Sequence, residues 1–145
     1  MTLSLTLVTP KDVYQCSDFR LTYVDPPGHY TDTDAQKIIV LSTMKWSALV
    51  QFAGVGKTSS GFDTTEWLAQ LVSHVQPNAS IQFIVSELLA IGRQYIGNAK
   101  HSFVVCGFEG EKPLIILVSN FQVCRILVSF SPRQNGRSPL LTKSI

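Results

Sequence analysis

The chain has 145 residues, of which 45% are apolar and 15% charged, with a net charge of +2. That length makes a single domain able to bury about two-thirds of its unfolded surface. The charge is too small to imply nucleic acid, no uninterrupted apolar run is long enough to span a membrane, and so lean a charged surface suggests partial cover by a partner.

The N-terminus, MTLSLTLVTPKD, carries neither the basic start nor the small-residue cleavage site of a signal peptide, which points to a cytoplasmic protein. Residues 3–8 alternate apolar and polar, as a half-buried strand does, and a turn at Thr9-Pro10-Lys11-Asp12 leads into a second strand over 13–24. Residues 25–34 read as a loop. KIIVLST and SALVQFAG are two further strands, with Met44-Lys45-Trp46 near their turn. The stretch QFAGVGKTSSG (51–61) ends in Gly56-Lys57-Thr58, as a phosphate-binding loop does, but its opening glycine is replaced by Gln51. A nucleotide-binding module on residues 54–60 is the remote alternative that this stretch keeps open.

Asp63-Thr64-Thr65-Glu66 has the form of a capping box and predicts a helix over 64–75. Gln76-Pro77-Asn78 breaks it, Ser80 caps the next, and apolar residues at 81, 84, 85, 88, 91, 95 and 96 predict a second amphipathic helix over 81–97. HSFVVCGFEG and KPLIILVSNF form a hairpin, VCRILVSF a further strand, and 131–145 a polar, basic tail. Four strands, two helices and then two or three strands predict an α+β fold with antiparallel sheets. Cys16, Cys106 and Cys124 lie in apolar runs without a C-x-x-C and are expected as buried free thiols. His29, His74 and His101 have no ligand spacing, so no metal site and no cofactor is expected.

That order of elements, with several residues in it, resembles the proteasome β-subunit and HslV peptidase family of N-terminal-nucleophile hydrolases. Loss of Met1 would expose Thr2. CSDFRLT is similar to the family's Asp-x-Arg-x-Thr, with Asp18 as far from Thr2 as the family's aspartate is from its nucleophile. Lys37 matches the lysine at the head of the third strand, and ALVQFAGVG resembles the end of the fourth, with Gly54 at the glycine whose N–H forms the oxyanion hole. Lys57 then becomes a surface residue before a helix.

The resemblance covers roughly residues 2–121. It implies a four-layer αββα sandwich of antiparallel sheets and a threonine-type peptidase or amidohydrolase, assembled as a homo-oligomer or ring on peptide or protein substrates. An ATP-driven unfoldase would be its partner. Thr2 would be the nucleophile and its own α-amine the base, its pKa lowered by Lys37. Asp18 would hold Lys37, Gly54 N–H would stabilise the oxyanion, and Arg20 would order the loop. Family members continue into a Gly-Ser-Gly-like loop, two helices and further strands that nothing in 122–145 matches. The implied domain, residues 1–130, is therefore a shortened and incomplete version, and a non-catalytic scaffold or assembly subunit is the alternative. Each residue also has an ordinary reading: Thr2 at a strand start, Asp18 and Lys37 as a surface ion pair, Gly54 as a turn glycine.

Overall fold

The structure, a computed structural model, describes residues 4–19, 21–22, 31–32, 35–58, 60–96, 100–120 and 127–129. The tail expected at 131–145 lies outside the described residues. The fold is α+β, with every strand pairing antiparallel.

The predicted N-terminal hairpin is β1 (Ser4–Val8) and β2 (Val13–Ser17), closed by a turn in which Thr9 Oγ1 accepts the Asp12 N–H at 2.8 Å. The second strand is not continuous to residue 24. It stops at Ser17, and a separate two-residue strand β3 (Leu21–Thr22) pairs with β4 (Thr31–Asp32). The main sheet has five strands in the order β5 (Ile38–Ser42), β6 (Trp46–Gly54), β7 (His101–Glu109), β8 (Lys112–Ser119) and β9 (Leu127–Ser129). The helices α1 (Thr64–His74) and α2 (Ile81–Ile91) connect β6 to its neighbour β7.

Register explains the core. Ile39 pairs with Val50, Val50 with Val105 and Val105 with Ile116, so one row of branched side chains crosses four strands on a single face. Phe52, Phe103 and Val118 form the adjacent row, and both rows are buried. Leu68 and Leu71 of α1 and Ile81, Ile84, Leu88 and Ile91 of α2 complete the same cluster. Each such side chain contributes about 1.5–3 kcal/mol when fully buried. Trp46 is 3% exposed and donates its indole N–H to the Ala79 carbonyl at 2.7 Å.

The alternate positions of the sheet meet the hairpin. Gln51 Nε2 donates to the Cys16 carbonyl, and Gln15 Nε2 donates to the Val104 carbonyl, both at 3.3 Å. The hairpin turns its polar residues Thr6, Gln15 and Ser17 away from solvent and exposes Leu5, Leu7, Tyr14 and Cys16. Cys16 is therefore exposed rather than buried, because the alternation places it on the outer face beside Leu5, its register partner. Cys106 is a buried free thiol as expected, and Cys124 lies outside the described residues.

Candidate active site

Two elements bring Lys37 and Asp18 together. Asp18 follows the last residue of β2, and the next residue, Phe19, accepts the Ala35 N–H on its carbonyl at 3.2 Å, drawing residues 18–19 alongside 35–37. Lys37 immediately precedes β5 and is already paired with the sheet, its carbonyl accepting the Phe52 N–H at 3.1 Å. Lys37 Nζ lies 3.0 Å from Asp18 Oδ1, and the lysine side chain is 1% exposed against 28% for the aspartate. Desolvating an ammonium costs several kcal/mol unless a counter-charge and hydrogen bonds compensate. Asp18, at the rim, is one partner that meets this need. The result is a fixed positive charge under a partly open carboxylate.

Gly54 ends β6, two residues beyond Phe52, and so stands at the same end of the sheet as Lys37. Its φ of +103° is in the region that L side chains rarely adopt, and a Cβ there would lie 2.2 Å from the Lys100 carbonyl oxygen. Only glycine fits this strand end, because the backbone of Lys100 and His101 lies against it. Of the four candidate site residues, Asp18 and Lys37 are in direct contact and Gly54 shares their end of the sheet. Thr2, like Arg20, lies outside the described residues; the first described residue after it, Ser4, donates its Oγ–H to Gln51 Oε1 at 2.9 Å.

The described residues around Lys57 depart from the geometry of a phosphate-binding loop. In such a loop the lysine opens the helix, whereas α1 begins only at Thr64. Lys57 Nζ is instead 3.0 Å from Asp63 Oδ2, with the lysine side chain 42% exposed, an ion pair that its reading as a bare surface residue missed. Thr64, wholly buried, closes the connection by donating its N–H to the Gly56 carbonyl and its hydroxyl to the Val55 carbonyl.

Besides Thr64, two buried polar residues among those described were not singled out from the sequence as site residues. Gln51 is 1% exposed, and its signal was a lone amide inside the apolar strand SALVQFAG. His101, 7% exposed, pairs with Gly54 and rests on Gly92, where an added Cβ would meet its Nε2. Nothing local marks that contact. Comparison of the chain with protein-family models, curated proteins and solved structures found no match.

Proposed function

We propose that the chain is a threonine-type peptidase or amidohydrolase of the proteasome and HslV kind, with Thr2 as its N-terminal nucleophile after loss of Met1. The observation that carries the reading is the buried Lys37 ion-paired to Asp18 at the sheet end where β6 terminates in Gly54. A surface pair would be bland, but a lysine desolvated at the head of a strand is an expensive feature with an electrostatic use.

In this reading the neutral α-amine of Thr2 accepts the hydroxyl proton as Oγ attacks the substrate carbonyl carbon. The oxyanion forms against Gly54 N–H, a donor generally worth about 3–4 kcal/mol. Collapse breaks the C–N bond, the departing amine takes the proton, and an ester remains on Thr2. Water then attacks that ester, with the α-amine again accepting a proton, and releases the acid. Lys37 keeps the α-amine neutral by repulsion between like charges, and Asp18 holds Lys37 in place. The proposed architecture is the four-layer sandwich of the same family. The hydrogen bonds of Gln51 and Gln15 to the hairpin, on the strand positions alternate to those that meet the helices, support it. A homo-oligomer or ring acting on peptide or protein substrates, and an ATP-driven unfoldase partner, belong to the same proposal.

Intact-mass measurement and peptide hydrolysis test it together. The expected result is a chain lacking Met1 that hydrolyses small peptide amides weakly, with Thr2→Ala and Lys37→Ala both folded and inactive. Retained Met1, or no hydrolysis by the unaltered chain, would leave the non-catalytic scaffold as the better reading, and hydrolysis that survives Thr2→Ala would remove Thr2 as the nucleophile.

A further inference from the structure

Both ends of the buried Gln51 side chain are in use. Nε2 donates to the Cys16 carbonyl at 3.3 Å, and Oε1 accepts from Ser4 Oγ at 2.9 Å. One side chain of the main sheet therefore holds both strands of the hairpin. Its two anchor points bracket the candidate site along the chain: Cys16 is two residues before Asp18, and Ser4 is two residues after Thr2. On the neighbouring strand, Gln51 pairs with Ile38, the residue after Lys37. An apolar side chain would fill such an interior position without the desolvation cost of an amide. The amide adds direction, because its donor and acceptor are fixed at opposite edges of one planar group.

We infer that Gln51 is a positioning residue of the proposed hydrolase. It clamps Ser4 of β1 and Cys16 of β2 onto β6 and so fixes the chain on both sides of the site relative to Lys37. The inference rests on the proposed function and deepens it. The Gln51 side chain bonds to Ser4 and Cys16; it acts through the strands that deliver the reacting groups. A misplacement of about 1 Å at a reacting centre can cost about 100-fold in rate, so a clamp of this kind is read in kcat.

The test uses the full chain with Gln51→Leu and Ser4→Ala, the latter removing a single hydroxyl from β1. Circular dichroism reports the fold, peptide-amide hydrolysis gives kcat and KM, and NMR follows the titration of the N-terminal α-amine. The expected result for Gln51→Leu is a folded chain with kcat lower by about 100-fold and KM nearly unchanged. Its α-amine titration should move upward, because Lys37 would no longer be held against the amine. Ser4→Ala should move both readouts in the same direction by less, and it decides the matter alone where Gln51→Leu does not fold. Unchanged kcat and unchanged amine titration in the folded variant would overturn the inference. If the unaltered chain hydrolyses nothing, the proposed chemistry fails separately, and amide hydrogen exchange in β1 and β2 decides Gln51: faster exchange in the folded Gln51→Leu supports the clamp, and unchanged exchange removes it.

Discussion

Two lysine–aspartate pairs in this chain have the same 3.0 Å separation and different physical meanings. The Lys57 side chain is 42% exposed over an Asp63 that is 10% exposed, so its ammonium keeps contact with water and is screened there. Lys37 is buried, where losing one partner removes part of what compensates a desolvated charge. Burial, not distance, marks the second pair as the unusual one. Cys106 poses the same question for a neutral group. Burial pushes its thiol from 9.0 up to about 11. Because the folded value is raised, the associated stability is fully present below pH 9 and is lost as the pH rises towards 11, where the unfolded chain ionises first. The urea midpoint should therefore fall across that window, by an amount on the order of 2 kcal/mol in stability for this group. Cys106→Ala should be less stable at neutral pH yet show a shallower decline, and a decline no shallower than in the unaltered chain would contradict the assignment. At this scale the sequence was only partly legible. Lys37 and Asp18 could be singled out through a family resemblance, whereas Cys16 was misjudged. Its apolar neighbours suggested burial, but the alternation of β2 turns it outward with them.

At the scale of elements, the helix starts were legible because their causes are local. Asp63 Oδ1 accepts the N–H groups of Thr65 and Glu66, and Ser80 Oγ accepts that of Phe83, as the capping signals predicted. The end of the second helix was not legible. The helical period predicted continuation to residue 97, but α2 ends at Ile91 and the chain continues as a π-helical turn, Gly92–Ile96. A wider turn delays the return to the core face by a residue, which is why Ile96 is buried and Tyr95, also expected on the apolar face, is 46% exposed and stacks on Phe62. The close approach of Gly92 to His101, remote in sequence, accompanies the change, and no local pattern encodes it. The start of α1 gives a direct comparison. Asp63→Ala removes both the cap, worth about 0.5–2 kcal/mol, and the partner of Lys57. Lys57→Ala removes that pair and leaves the cap in place. Urea denaturation should show a clear loss for Asp63→Ala and a smaller one, about 1 kcal/mol or less, for Lys57→Ala. Equal losses would mean that the ion pair, not the cap, holds the helix start.

For the whole molecule, the antiparallel α+β organisation was legible in the order of elements, while the orientation of the hairpin was not. A strand with one buried face ordinarily turns its apolar side inward. Here the half-buried face carries the polar Thr6, Gln15 and Ser17 beside Val8 and Val13, while Leu5, Leu7 and Tyr14 on the other face are 65%, 56% and 58% exposed. Register places Leu7 opposite Tyr14 and Leu5 opposite Cys16, so these side chains form one continuous outer surface, not scattered singles. A continuous apolar surface of this kind favours association, in keeping with the homo-oligomer proposed above. Covering it with a second copy removes apolar area from water at about 25 cal/mol per Å², whereas undocking the hairpin would break the Gln51 and Gln15 bonds. Light scattering should therefore give a mass that rises with concentration above that of one chain. The double variant Leu7→Lys and Tyr14→Lys should lower that association while leaving circular dichroism unchanged, since neither side chain contributes to the core. Two charges on adjacent strands, directly opposite in register, repel in the isolated hairpin by a few tenths of a kcal/mol, too little to unseat it but enough to oppose a matching apolar surface. A single-chain mass at every concentration for the unaltered protein would remove the argument. Association undiminished in the double variant would move it to another surface.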